Sequence, residues 1–187
     1  MDIIIVTGPP YSGKGTQCDI IKELTGYTHI STGERCRFEK SNNTKIGKEL
    51  SKYEESGDLV PDSLMIELFD TIICENSNAD GIILDGYPRT INQVDDLLKL
   101  ISSKNLVINK VINIVVPKEV LLDRAQIRSQ SSTRTDDMNA CNHIKRISKF
   151  EEVTKLGIEY MQTIFTVYDV NGTGNIESVT NEIKKIL

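Results

Sequence analysis

The sequence contains no tryptophan, few aromatic residues and only four cysteines, which lie far apart along the chain. Aromatic residues make up 5% of the 187 positions, and no C-x-x-C pair is present, so we expect no zinc site. No apolar run approaches the length that crosses a membrane, and no segment resembles a signal peptide. These absences predict a reduced, soluble and cytoplasmic protein with no membrane contact.

A basic excess is also missing, since the formal net charge is −5. This charge argues against binding to nucleic acid or to an anionic membrane. Hydrophobic residues make up 39% and charged residues 26% of the chain, which predicts one folded domain with a sizeable core. The planar guanidinium group of arginine suits phosphate, so a functional site is expected where the arginines converge. The seven arginines are Arg35, Arg37, Arg89, Arg124, Arg128, Arg134 and Arg146.

The stretch at residues 8–16, Gly-Pro-Pro-Tyr-Ser-Gly-Lys-Gly-Thr, follows a β-branched apolar run and precedes a segment with helical periodicity. Strand, glycine-rich turn, lysine and helix together are typical of a phosphate-binding loop. The backbone amides and the helix N-terminus would bind anions, Lys14 would reach a terminal phosphate, and Thr16 would face Mg²⁺. A turn that merely joins a strand to a helix is the less favoured interpretation.

Five short apolar runs alternate with helical segments, near residues 3–6, 27–31, 81–85, 107–116 and 166–170. The alternation predicts an α/β fold with a five-stranded parallel sheet. Residues 31–60 are too polar for a central core, so we predict a helical insertion there. Because ligands of parallel sheets bind beyond the carboxyl ends of the strands, the turns after residues 6, 85 and 170 should share one edge.

Several helix boundaries carry signals of their own. Ser31 or Thr32, Asp62 and Asn175 are candidate N-caps. A polar loop is predicted at residues 129–133, followed by a long helix from 139 to about 164.

The arginines suggest phosphoryl transfer, because several of them fall beside strand ends or beside the loop at 129–133. That loop could close over a reaction and exclude water. A single arginine more often lies on a solvated surface, but that explanation fits this clustering poorly. Asp85, at a predicted strand end, is favoured as a Mg²⁺ ligand through water over a role as a helix cap. His29 and His143 have no partner visible in the sequence, and no catalytic role is predicted for them.

These motifs, taken in order, resemble those of the nucleoside monophosphate kinases, and specifically the adenylate kinases of the short-lid type. The resemblance is carried by Gly-x-Pro-x-x-Gly-Lys-Gly-Thr-Gln at 8–17, by His-Ile-Ser-Thr-Gly-Glu at 29–34 and by Leu-Asp-Gly-Tyr-Pro-Arg-Thr at 84–90. Further matches are Asp-Leu-Val-Pro at 58–61, Arg-Thr-Asp-Asp at 134–137 and Val-Asn-Gly-Thr-Gly at 170–174. It covers nearly the whole chain.

The resemblance implies a P-loop NTPase-type fold of three layers, with a core at residues 1–30, 61–128 and 135–187. It also implies an insertion at 31–60 that binds the nucleoside monophosphate and a short lid at 129–134. The implied reaction is reversible transfer from Mg-ATP to AMP, giving two ADP, in a monomer and without a covalent intermediate. Mg²⁺ would be held by Asp85 and Thr16.

The resemblance also implies a role for each matching residue. The implied ATP-binding residues are Tyr11, Ser12, Gly13, Lys14, Gly15, Thr16, Arg124, Arg128 and Gly174. The implied AMP-binding residues are Thr32, Arg37, Asp58, Leu59, Val60, Gly86, Tyr87, Pro88, Arg89, Gln93, Arg134 and Arg146. The implied catalytic residues are Lys14, Arg89, Arg128, Arg134 and Arg146.

Three features depart from the family pattern. Tyr11 stands where the family usually has glycine, and Cys36 stands where a large aliphatic residue is usual. The segment from the lid to Arg146 is one residue longer than expected, and Arg146 rather than Lys145 is taken as the matching residue.

Two other functions stay open at this point. A UMP/CMP kinase would tend to have alanine at Thr32 and asparagine soon after the Pro-Arg pair, where this chain has Gln93, whose amide could pair with an adenine edge. A nucleotide-binding regulatory protein without turnover would not need the arginines around the lid.

Overall fold

The computed structural model describes residues 1–54, 60–131 and 140–187. A five-stranded, all-parallel sheet lies at the centre of this part of the chain. Its strands are β1 Asp2–Thr7, β2 Thr28–Ser31, β3 Gly81–Asp85, β4 Val107–Val115 and β5 Val167–Asn171. They lie in the order β2-β3-β1-β4-β5, so β1 is the middle strand. All five predicted strands are confirmed, with ends that shift by one or two residues.

Helices alternate with the strands, as the sequence pattern predicts. In the described residues they are α1 Lys14–Thr25, α2 Thr32–Ser41, α3 Lys45–Glu54, α4 Asp62–Glu75, α5 Ile91–Lys104, α6 Lys118–Ser131, α7 Ala140–Lys149, α8 Lys155–Gln162 and α9 Ile176–Lys184. A π-helical turn, Phe150–Thr154, joins α7 to α8. The long helix predicted from 139 to about 164 is therefore one helical run with a widened turn in its middle.

The middle strand explains why the fold has three layers. Ile3 and Ile5 of β1 pack into one buried cluster, with residues of α4, α5 and α8. Ile4 and Val6 alternate with them and pack into a second cluster, with residues of α1, α6, α7 and α9. Because successive side chains of a strand point to opposite faces, an apolar strand needs helices on both sides.

The helical segment after β2 is less separate from the core than its polar composition predicts. Leu50 of α3 is fully buried and Cys36 of α2 nearly so, and both belong to the cluster beneath α4 and α5. The predicted cap at Ser31 is confirmed, because its hydroxyl accepts a hydrogen bond from the Glu34 amide at 3.4 Å. The cap at Asn175 is confirmed in the same way, with 2.8 Å to the Ser178 amide.

Two local predictions are wrong. Asp62 is the first residue of α4 rather than its cap, since Pro61 holds the cap position. The carboxylate of Asp62 instead accepts hydrogen bonds from Thr90 and Gln93. The polar loop predicted from residue 129 starts too early, because α6 continues to Ser131 and the Ser129 hydroxyl donates to the Gln126 carbonyl within the helix. The remainder of that loop lies outside the described residues.

The parallel register places three functional turns at one edge of the sheet. Val6 lies beside Asp85, and Thr7 lies beside Asn113, so β1, β3 and β4 end close together. The turn after β5 joins them, because the amide of Gly172 donates to the Val115 carbonyl at 2.9 Å. None of the helices in the described residues has the length and apolar character of a membrane span.

Candidate active site

The loop between β1 and α1 has the backbone of an anion-binding turn. Gly8 has a φ of 138°, and a Cβ added there would lie only 2.5 Å from the carbonyl oxygen of Ile114, so only glycine fits. Gly13, with a φ of 91°, caps α1, and no side chain caps that helix. Its first amides and its dipole are therefore directed at the loop and favour a bound anion.

Lys14 extends back along this loop. Its ammonium group donates to the carbonyl oxygens of Gly8 at 2.8 Å and Pro9 at 2.7 Å. Burial lowers the pKa of Lys14 to about 8, while the nearby Asp85 carboxylate acts in the opposite direction. A phosphate that accepts a hydrogen bond from this amine would favour its charged form.

Asp85 ends β3 on the opposite side of the loop and stays ionised. Burial disfavours its charge, but His29 and Lys14 outweigh that effect and keep the pKa of Asp85 below its ordinary value. His29 lies between two carboxylates, with Nδ1 2.8 Å from Asp19 Oδ1 and Nε2 3.6 Å from Asp85 Oδ2. Burial alone would lower the pKa of His29, but these two carboxylates raise it.

Cys18 lies close to the same pair, and its Sγ is within 4.8 Å of the ligand atoms of His29 and Asp85. Burial raises the pKa of the Cys18 thiol well above its usual value, so the thiol stays protonated. The oxygen atoms of Asp85 and Thr16, on one cleft, are the ligand type that Mg²⁺ prefers, and their chemistry fits that ion.

A cleft of about 650 Å³ runs along this edge of the sheet. Six basic side chains line it against three carboxylates, although the chain as a whole is acidic. The basic residues are Lys14, Arg37, Arg89, Arg128, Arg146 and Lys149, and the carboxylates are Asp19, Glu34 and Asp85. This local excess of positive charge suits a ligand that carries several phosphates.

A second cavity, of about 580 Å³, lies on the other side of the phosphate loop. Arg124 of α6 joins its walls by donating to the carbonyl oxygens of Gly172 at 2.8 Å and Ser12 at 3.4 Å. Gly174 and Ile176 also line this cavity. The two cavities share four loop residues, namely Tyr11, Ser12, Gly13 and Thr16.

The residues predicted from the sequence fall into four groups. Those on the larger cleft are Tyr11, Ser12, Gly13, Lys14, Gly15, Thr16, Arg37, Asp85, Gly86, Arg89, Arg128 and Arg146. Arg124 and Gly174 line the second cavity. Thr32, Val60, Tyr87, Pro88 and Gln93 line neither of these cavities. Asp58, Leu59 and Arg134 lie outside the described residues.

Three of the residues that line neither cavity, Thr32, Tyr87 and Gln93, make contacts within the protein. Thr32 donates to the carbonyl oxygen of Asp85 at 3.0 Å, and Tyr87 stacks on Phe69 with ring centres 4.6 Å apart. The amide of Gln93 is engaged at both ends, since its oxygen accepts from the Arg89 amide and its nitrogen donates to Asp62.

The sequence alone did not reveal the roles of the two histidines. His29 bridges Asp19 and Asp85, and His143 of α7 lies 2.5 Å from the hydroxyl of Tyr11. The second contact joins residues 132 positions apart, and no spacing rule finds such a pair. Phe150 and Thr154, at the π-helical turn, also line the cleft and were not predicted.

A phosphate loop at the end of a middle strand, a basic cleft and a second cavity beside it define a nucleotide-binding phosphotransferase of the P-loop class. The comparison with known families agrees with this class: residues 6–165 match the family model of adenylate kinase. The chain belongs to the adenylate kinase family.

Curated relatives match along almost the full length. An adenylate kinase of Leptospira biflexa serovar Patoc is 37% identical over 185 residues, which cover 99% of each chain. An adenylate kinase of Flavobacterium psychrophilum is 32% identical over 98% of this chain and 97% of its own. One of Porphyromonas gingivalis is 34% identical over 98% of this chain and 94% of its own. Neither the family model nor these relatives favour the UMP/CMP kinase or the regulatory protein.

Proposed function

We propose that this adenylate kinase transfers the terminal phosphoryl group of Mg-ATP directly to AMP, with the residues of the two cavities in distinct roles. The observation that carries the proposal is the concentration of six basic side chains on a cleft that includes the N-terminus of α1, where no side chain caps the helix. The cleft lies between the phosphate loop and α2, where two phosphate-bearing substrates could meet.

On the ATP side, the loop amides and Lys14 would hold the terminal phosphates. The second cavity, between Arg124 and the turn at Gly172 and Gly174, would take the adenine and ribose. Asp85 and Thr16 would hold Mg²⁺ through water. Mg²⁺ is the only metal that the proposal needs. A Mg²⁺ ion held there would supply positive charge that offsets part of the charge of the phosphates.

On the AMP side, Arg37 and Arg89 would bind the acceptor phosphate, together with Arg134 and Arg146. The Arg89 side chain is already held in place, because its Nε donates to the Gly86 carbonyl at 2.6 Å. The side-chain amide of Gln93 would have to break its hydrogen bonds to Arg89 and Asp62 before it could bind the adenine. Thr32 and residues 58–60 would shape the rest of this side.

The transfer itself would be in line. An oxygen of the AMP phosphate forms a bond to the γ-phosphorus as the bond to the β–γ bridging oxygen breaks, and ADP leaves. Lys14, Arg128 and Arg146 would stabilise the charge that develops on the transferred group. The protonated Cys18 thiol offers no nucleophile, which fits a reaction without a covalent intermediate.

An acceptor panel tests the proposal. Mg-ATP is incubated with AMP, CMP, UMP, GMP or dTMP, and nucleoside diphosphate formation is measured with a coupled assay. We expect turnover with AMP, and formation of ATP and AMP from ADP in the reverse direction. Turnover with UMP or CMP but not AMP would contradict the proposal, as would ATP hydrolysis that is independent of any acceptor. The predictions of a monomer and of a cytoplasmic location stay predictions.

A further inference from the structure

The backbone of Tyr11 is unusual for its residue type. Its φ is 67°, in the left-handed region that favours glycine. The other described non-glycine residues with a positive φ are Asn43 and Asn105, and asparagine tolerates that conformation well. A strained backbone of this kind persists only where the surroundings hold it in place, so the contacts of the Tyr11 side chain are of interest.

The hydroxyl group of Tyr11 connects two side chains of α7. Arg146 Nη1 lies 3.2 Å from the hydroxyl oxygen, and His143 Nδ1 lies 2.5 Å from it. Because arginine can only donate, the oxygen accepts from Arg146. The direction of the hydrogen bond to His143 Nδ1 depends on the tautomer of His143. The other ring nitrogen, Nε2, is buried and has no hydrogen-bond partner among the described residues.

The ring of Tyr11 contacts a second arginine as well. The guanidinium carbon of Arg146 lies 5.3 Å from the ring centre and that of Arg128 lies 5.8 Å from it. Both distances are within the range of a cation–π contact. His143 meets the same ring edge-on, with centres 5.2 Å apart. Tyr11 is itself only 8% exposed, so these contacts are shielded from water.

These contacts join the phosphate loop to α6, which carries Arg128, and to α7, which carries His143 and Arg146. Two guanidinium groups on one small cleft repel each other, and the electron-rich face of the ring offsets part of that repulsion. A side chain that orders both arginines before substrate arrives lowers the cost of ordering them during the reaction.

We propose that Tyr11 is a positioning residue, which holds Arg128 and Arg146 over the phosphate loop while His143 fixes the orientation of its hydroxyl. The inference rests on the proposed function, because it is there that the two arginines act on the transferred phosphoryl group. It adds a role for two residues, Tyr11 and His143, whose side chains need not touch that group.

The first test separates the hydroxyl from the ring. Tyr11→Phe keeps the ring and should lower kcat about fivefold, the effect of one lost hydrogen bond. Tyr11→Leu removes both the hydroxyl and the ring, and it should lower kcat by about 100-fold. Leucine, like tyrosine, is a non-glycine residue at a positive φ, so the strain in the backbone stays similar. Tyr160→Phe is the matched control, since it loses a hydroxyl hydrogen bond of 2.8 Å to Asp95, away from the cleft, and kcat should not change.

The second test asks whether His143 acts through Tyr11. His143→Leu should lower kcat as much as Tyr11→Phe does, and His143→Asn, which keeps a polar atom near Nδ1, should restore part of the loss. In the double variant Tyr11→Phe/His143→Leu the two losses should not add, because both remove the same hydrogen bond. Additive losses would contradict the chain of contacts.

A readout independent of activity completes the test. The side-chain NMR signals of Arg128 and Arg146 should be sharp and dispersed in the wild type and broadened or averaged in Tyr11→Leu. Unchanged arginine signals together with unchanged kcat in Tyr11→Phe and Tyr11→Leu would overturn the inference. If Tyr11→Leu does not fold, Tyr11→Phe and the His143 series decide alone. If the wild type failed the acceptor panel but the arginine signals still responded, the proposed function would fail while the positioning role of Tyr11 stood.

Discussion

At the scale of single residues, Lys14 is a charged side chain in an environment that disfavours its charge. It carries a charge that burial disfavours, and it is held by two backbone carbonyls of its own loop. Such a group gains more from a bound phosphate than an exposed lysine would, because few waters compete for it.

We expect Lys14→Met to lower kcat by about 100- to 1000-fold, since one preorganised donor to the transferred group is lost. Lys14→Arg, the matched variant, keeps the charge but not the compact ammonium, and should retain more activity than Lys14→Met. The midpoint of thermal unfolding should stay the same or rise in Lys14→Met, because the substitution removes a charge that burial disfavours. A kcat for Lys14→Met within threefold of the wild type would show that Lys14 does not serve the transfer step.

Arg89→Ala should differ in kind from Lys14→Met. On the proposed assignment, its loss would remove an anchor for the AMP phosphate, so the KM for AMP should rise about tenfold or more along with a fall in kcat. Arg35→Ala serves as the control, because Arg35 pairs with Glu39 and Glu75 outside the cleft. An effect of Arg89→Ala on the KM for ATP alone would mean that the two sides of the cleft have been assigned the wrong way round.

At the scale of elements, one ion pair ties the insertion to the core. Arg35 of α2 donates through both Nη atoms to the Glu75 carboxylate of α4, at 2.5 and 2.9 Å. This hydrogen-bonded contact lowers the pKa of Glu75. A carboxylate with a lowered pKa stabilises the fold above its unfolded pKa of about 4.3, and that contribution is lost as the pH falls through the folded value.

Glu75→Gln should therefore lower the free energy of unfolding at pH 7 by up to about 1 kcal/mol, a modest value because Glu75 is half exposed. The difference from the wild type should shrink below about pH 4.3. Denaturant unfolding at pH 7 and pH 3.5 measures it, and Glu67→Gln, exposed on the same helix, is the control. A difference that is independent of pH would exclude the ion pair as its cause.

At the scale of the whole molecule, we predict that residues 31–60 and 129–134 close over the cleft when both substrates are bound. The arginines of the cleft repel one another without phosphate and gain charge-assisted contacts with it, so ligand binding should favour a closed form. The helices of the insertion would swing as a unit, whereas residues 129–134, which begin in the last turn of α6, would close as a smaller separate segment.

Hydrogen exchange with and without a bisubstrate inhibitor that spans both cavities tests this closure. Amides in these two segments should become more protected with the inhibitor, while those of β1 and β3 should change little. Equal protection in both states, or new protection confined to the strands, would refute the prediction.

The sequence by itself determined the α/β fold, the sheet strands and the phosphate loop. Together with the family resemblance, it named half of the residues that line the cleft. It could do so because these features are local: apolar runs of strand length, glycines at turns, and caps such as Ser31 and Asn175. The edge shared by the turns also follows from the parallel sheet, because parallel strands all end on the same side.

Only the tertiary structure decided which side chains meet across long stretches of chain. Tyr11 with His143, Asp85 with His29, and Gln93 with Asp62 are pairs that no periodicity signals. The burial of Leu50 likewise overrode the polar composition of its segment. Local preferences depend on neighbours in the sequence, whereas these contacts depend on packing, where burial makes each polar partner matter far more than it would in water.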